Sequence, residues 1–272
     1  MRVADEVVKC VGFVSKSKKI SDYRGTAFFV TVPHGDGSFL HIITAKHVAV
    51  SVMPDSACIA INAKDGLPRW MQAGDTDWFY HPSDETVDVA VMPLATDMVA
   101  AYDIRPIPLE LFATASVIES QRIGLGDELI NVGLFRPFSG SEEFLEPIVR
   151  TGNIAMMPRS KVPTAKFGNM DAFLAEGRSI GGLSGSPVFV RSTVNMPARD
   201  SSGAPAQISG LGPIRLLGLT HGHWDLPLDA IAPSTHVNMG VSIIVPAQKI
   251  LETLYHPDLC RLRDKRAEAS SR

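Results

Sequence analysis

Three short stretches of this 272-residue chain hold side chains suited to nucleophilic chemistry. In "SIGGLSGSPVFV" (179–190), Ser184 stands between Gly182 and Gly185, ahead of Pro187 and the β-formers Val188, Phe189 and Val190. Glycine allows backbone angles closed to other residues, and proline blocks a helix, so the stretch reads as a sculpted loop running into a buried strand. A serine presented this way is either a nucleophile or an accident of a turn. Nucleophilic serine chemistry needs a base, a carboxylate that orients it, and backbone donors for the developing oxyanion. Among eight histidines, His47 has the most patterned context, following an apolar run in "HIITAKHVAV" (41–50). In "TVDVAVMPL" (86–94), Asp88 lies between Val87 and Val89. An acid so embedded is expensive to bury alone, and a histidine ring is the partner that would justify it.

The elements that must position these groups are short apolar segments separated by turn residues. They fall at Val7–Val14, Thr26–Val32, Phe39–Thr44, Ala57–Ala63, Val87–Leu94, Glu128–Leu134, Ile148–Met156, Pro187–Val190, Leu216–Thr220 and Val237–Val245. Many strands at such spacing argue an all-β sandwich or barrel. Helical signal is sparse. Residues 246–256 place Ile250, Leu251 and Leu254 on one face after Pro246, which predicts one C-terminal helix. The charged segment Arg261–Arg272 is expected to fray, and the Pro/Ser/Gly-rich residues 191–214 to form a long exposed loop. Strand signal lapses around Asp97–Thr114, a natural division.

With 26 basic and 29 acidic residues and a net charge of −3, the chain lacks the basic excess of a nucleic-acid binder. Its apolar stretches are too short to span a membrane, and charges at Arg2, Asp5, Glu6 and Lys9 interrupt any signal-peptide core. Three widely spaced cysteines, Cys10, Cys58 and Cys260, imply no disulfide framework and favour a cytoplasmic location. Other motifs carry less. "GLSGS" echoes the G-x-S-x-G elbow of α/β-hydrolases, but β-formers follow it where the elbow requires a helix. His221 and His223 form a conceivable metal pair without a third ligand. "GLGDELINVG" (124–133) echoes a dinucleotide loop without the helix such a loop needs.

The histidine, aspartate and serine stretches together resemble the trypsin-like (chymotrypsin-fold) serine peptidases. The family's T-A-x-H appears as Thr44–Ala45–Lys46–His47, its D-[IVL]-A-[LV] as Asp88–Val89–Ala90–Val91, and its G-x-S-G-[GS]-[PA] as Gly182–Leu183–Ser184–Gly185–Ser186–Pro187, in the family's order. "GTAFFV" (25–30), "LGLTHG" (217–222) and "GVSIIVPAQKILETL" (240–254) resemble further family segments. The resemblance implies two six-stranded antiparallel β-barrels with a C-terminal helix, divided as 1–105 with His47 and Asp88, 106–245 with Ser184, and 246–272 as helix and tail. It implies a serine endopeptidase acting on polypeptides through His47, Asp88 and Ser184, with the amides of Gly182 and Ser184 as oxyanion hole. No cofactor or metal is implied, and any regulatory protein partner is unknown.

The family's specificity pocket would involve Arg178, Thr220, His221 and Gly222. Arg178 stands where trypsins carry an aspartate, so an acidic substrate side chain is the conceivable preference. Leu183 stands where trypsin-type zymogens carry the aspartate that pairs with a freed N-terminus. Residues 3–14 read instead as a strand, so no N-terminal processing is expected. Two rivals share these residues: a catalytically silent module binding peptide by strand addition along 217–222, and an α/β-hydrolase esterase.

Overall fold

The computed structural model describes residues 3–270, except 53–57, 73–77, 96–97, 142, 165, 178–180, 200 and 229–231. The first half runs α1 (Asp5–Val8), β1 (Val11–Ser15), β2 (Tyr23–His34), β3 (Gly37–Thr44), α2 (Lys46–Val52), β4 (Cys58–Asn62), β5 (Pro68–Gln72), β6 (Phe79–Tyr80), β7 (Ala90–Pro93), α3 (Met98–Ala101) and β8 (Ile107–Pro108). The second half runs α4 (Ala115–Ser120), β9 (Glu128–Gly133), β10 (Ile148–Met156), β11 (Val162–Thr164), β12 (Gly168–Met170) and β13 (Phe173–Glu176). It continues through β14 (Pro187–Arg199), β15 (Pro205–Leu228) and β16 (Ala232–Pro246) to α5 (Ala247–Leu254) and α6 (Pro257–Ser270).

The first eight strands make one sheet in the order β5-β4-β1-β2-β3-β7-β6, with β8 on β2. Six of them have four or more residues; β6 and β8 have two each. Strands β10-β13-β16-β15-β14-β9 close into a barrel. This is the all-β, two-barrel plan with C-terminal helices. The continuous apolar run Ala27–Val30 of β2 is fully buried. Strands covered on both faces read as unbroken apolar segments, and each such side chain contributes roughly 1.5–3 kcal/mol when buried.

Three local expectations are corrected, and a helix appears at 46–52 where none was anticipated. Residues 3–14 are not one strand: 5–8 form a helical turn with Asp5 and Glu6 at its start, and pairing with β2 begins only at Val11. The segment 46–52 is helical although its three valines read as strand formers, because Val48, Ala49 and Val52 bury one face. Residues 191–214 are largely exposed where described, as expected, but they are not a loop: they form the greater part of a hairpin, laddered from Pro187↔Leu219 to Arg199↔Pro205. A ladder is made by backbone groups, so a polar composition does not forbid it.

Finally, Arg261–Ser270 is not frayed. It lies in α6, where Leu259 and Arg263 are buried. Arg263 Nη1 donates to His41 Nε2 at 3.2 Å, and Arg266 Nη1 donates to the Leu94 carbonyl at 3.2 Å. Burial, reinforced by the Arg263 charge, pushes the His41 pKa down to about 4, so the ring stays neutral and can accept.

Candidate active site

His47 occupies the first turn of α2, directly after the β3 end at Thr44. The Ala45 carbonyl accepts from Val48 N at 3.0 Å and Ala49 N at 3.1 Å, which starts the helix. Asp88 precedes β7 by two residues and is fully buried. Its Oδ1 accepts from the His47 backbone amide at 2.9 Å, and its Oδ2 lies 2.7 Å from His47 Nδ1. Burial pushes the Asp88 carboxyl upward, but hydrogen bonds from His221 and His47 outweigh it and hold the group well below the usual carboxylate range. An ionised carboxylate only accepts, so His47 carries a proton on Nδ1 and a neutral ring keeps its lone pair on Nε2.

The loop carrying Asp88 is itself tied down. His81, whose side chain is 5% exposed, pairs through Nε2 with Glu252 of α5 at 2.8 Å, and its Nδ1 accepts from the Asp84 amide at 3.0 Å. Asp84 accepts from Thr86 Oγ1 at 2.5 Å and Lys161 Nζ at 3.1 Å, and these bonds, Thr86 first, pull its pKa down to about 2.

The serine loop precedes β14, and Thr26 of β2 clasps it from the first sheet. Buried Thr26 donates through Oγ1 to the Gly182 carbonyl at 2.9 Å, and the same Oγ1 accepts from Leu134 N at 2.9 Å. Its amide donates to the Ser184 carbonyl at 2.9 Å, while its carbonyl accepts from Thr44 Oγ1 at 2.7 Å. Gly25 has to be glycine here, because a Cβ would sit 2.7 Å from the Ser184 carbonyl oxygen and 2.8 Å from Val48. Gly182 has φ +109°, a left-handed conformation that side chains resist. The amides of Gly182 and Ser184 donate to no described residue. Ser184 Oγ donates to the His221 carbonyl at 3.2 Å. Leu183 and Ser186 are fully buried, so Ser184 is the serine of this motif left partly exposed.

His221 Nδ1 lies 2.6 Å from Asp88 Oδ2, so two imidazoles share one carboxylate oxygen. Phe167, in the β11–β12 turn, packs on both rings, with centroids 6.4 Å from His47 and 5.6 Å from His221. Among the described residues, His47, Asp88 and His221 are the one group of such side chains whose ligand atoms lie within 4.8 Å of one another. Their 2.6 and 2.7 Å separations are hydrogen-bond lengths. Donors bound to a tetrahedral zinc at ~2.0–2.1 Å would stand roughly 3.3 Å apart, so the cluster is built as a hydrogen-bonded unit.

The structure thus brings His47, Asp88 and His221 together, with Ser184 reaching the group through the His221 carbonyl. Of the anticipated pocket residues, Thr220 is buried and accepts from Asn131 Nδ2 at 2.8 Å, Gly222 faces open space, and Arg178 lies outside the described residues. Sequence patterns do not reveal the clasp by Thr26, the cover by Phe167 or the aim of the His221 ring. The only early trace of the last was the paired histidines of "HGH".

No family model matches the chain, and no curated protein matches it by sequence. Solved structures do match. Deg5 superposes with a TM-score of 0.52 at 14% identity, covering 91% of this chain and 88% of that one. The MamO protease domain from Magnetospirillum magneticum gives 0.55 at 13%, covering 90% and 96%. Human heparin-binding protein gives 0.50 at 9%, covering 92% and 91%. The shared architecture is the chymotrypsin-type fold. An α/β-hydrolase is excluded, because Ser184 leads into an antiparallel barrel strand and not a helix.

Proposed function

We propose that this chain is a serine endopeptidase. The observation that carries the reading is the buried, ionised Asp88 holding His47 by both its amide and Nδ1, beside a glycine-shaped loop that presents Ser184. Asp88 fixes the His47 tautomer, leaving Nε2 as the base. On substrate binding the Ser184 hydroxyl leaves the His221 carbonyl and gives its proton to Nε2. Its oxygen attacks the peptide carbonyl. The amides of Gly182 and Ser184, which have no described acceptor, receive the oxyanion. The His47 imidazolium then protonates the leaving amine, and water resolves the acyl-enzyme by the reverse sequence.

The substrate is a polypeptide, and the chemistry uses only these side chains. Because Thr26 and buried Leu183 hold the serine loop, no N-terminal processing is required. Among the described residues no disulfide joins Cys10, Cys58 and Cys260, and we take the setting to be reducing and cytoplasmic.

The resting hydroxyl on the His221 carbonyl is what a silent peptide-binding module would also show. A serine-reactive phosphonate separates the two readings. Stoichiometric labelling of Ser184, lost in Ser184→Ala and kept in Ser186→Ala, is expected. An unlabelled but folded wild-type protein would overturn the peptidase reading. Activity of a form with an uncleavable N-terminal extension should equal that of the native form.

A further inference from the structure

We infer that His221 is a positioning residue for the Asp88–His47 pair: a strut from the second barrel that shares the Asp88 carboxylate and sets how strongly it holds the His47 ring. The inference deepens the proposed peptidase function and rests on it.

The backbone is built to aim this side chain. Along the β15–β16 ladder Thr220 pairs with Ile244 and Gly222 with Ile243, so His221 is the extra residue of a bulge. A bulge re-aims its side chain out of the regular alternation. Here it turns the imidazole across the cleft onto a carboxylate of the other sheet, 133 residues earlier in the chain. The same residue's carbonyl accepts from Ser184 Oγ, so residue 221 touches both ends of the proposed triad. Its ring is 11% exposed, and Phe167 covers it edge-on.

The electrostatic consequence has a definite sign. Asp88 Oδ2 divides its negative charge between two N–H donors. Taking away the His221 donor concentrates that charge on His47 and favours its imidazolium. Among the described residues, the ionisable groups in contact with the His221 ring are Asp88 and His47, whose ring centroid is 5.6 Å away. Lys46 stands behind Phe167, with Nζ 5.9 Å from that ring. A cationic or a neutral His221 gives the same direction of change.

The test follows the His47 ring by NMR titration and the pH profile of kcat/KM, in wild type, His221→Ala and His221→Asn, the last retaining a donor. In His221→Ala the His47 midpoint and the acid limb should both rise by about one pH unit. The kcat at neutral pH should fall roughly tenfold with KM nearly unchanged, and Asn should restore most of both. A midpoint that does not move in His221→Ala, or moves equally in both variants, overturns the inference. If neither variant folds, wild type decides: two strongly downfield Nδ1–H resonances, one per ring, are expected, and a single one is the contrary result. The NMR readings stand even if wild type cleaves nothing, so failure of the peptidase reading remains distinguishable from failure of this one.

Discussion

Two histidine sites of this molecule, the half-buried pair on buried Asp88 in the cleft and buried His41 beneath α6, resolve the cost of burying charge in opposite ways. In the cleft the charge sits on Asp88, whose partners donate to it and keep it ionised. Under α6 the charge sits on Arg263, and His41 is kept neutral to receive it. The accounting of ring nitrogens differs as well. His41 has both occupied, with Nδ1 3.1 Å from the Phe39 carbonyl and Nε2 accepting from Arg263. His47 has its Nδ1 taken by Asp88, which leaves Nε2 for chemistry. Burial alone does not make a histidine reactive. A partner of the right sign and one uncommitted nitrogen do.

The contrast is broken most severely from the cleft side. His47→Ala should lower turnover on the order of 10⁶-fold, by analogy with other triads, with folding retained by circular dichroism. Asp88→Asn should cost roughly 10⁴-fold by releasing the tautomer. Full activity in either variant, measured on a cleavable peptide, would end the assignment.

A smaller effect is expected at the clasp. Thr26→Val keeps the shape but strands the Gly182 carbonyl and the Leu134 amide, for about 2–5 kcal/mol of lost stability. Because the serine loop loosens, turnover should fall together with the denaturant midpoint. A variant as stable and active as wild type would show that the loop is held elsewhere.

The smallest effect sharpens the α6 side. An unfolded histidine binds its proton near pH 6.5, but His41 in the fold does so only at about 4. Between those values the unfolded chain binds more protons, so stability should fall as pH drops through this window, by on the order of 3 kcal/mol. Above it the contribution is fully present. The depressed Asp88 carboxyl acts lower, contributing stability above the ordinary carboxylate range and losing it only in stronger acid. Urea midpoints at pH 7 and 4.5 should therefore differ in wild type and converge in His41→Gln, with hydrolysis unaffected. An unchanged wild-type midpoint across that range would refute the account.

The parts legible in the sequence were those encoded in contiguous patterns. The all-β class followed from the spacing of apolar runs. The proximity of His47 and Asp88 followed from the cost of burying an acid in "VDVAV". What escaped depends on long-range or backbone features. The aim of His221 comes from a bulge, which no residue type announces. The β14–β15 hairpin runs through composition that reads as loop. Helix α6 looks like a solvated tail because its charges surround it, and its inner face comes from buried Leu259 and from the docking of two arginines on distant partners, Arg263 on His41 and Arg266 on the Leu94 carbonyl.

That docking has a consequence for biosynthesis. His41 and Arg263 are separated by 222 residues. At ~5–20 residues per second, the ribosome makes the lid for β3 roughly 10–45 s after the strand itself. Through that interval the His41 imidazole and the apolar surface that Leu259 later packs against lack their native cover. The nascent first half is therefore an incomplete body that depends on the last helix to finish it, and a chaperone that binds exposed β3 would find its window there.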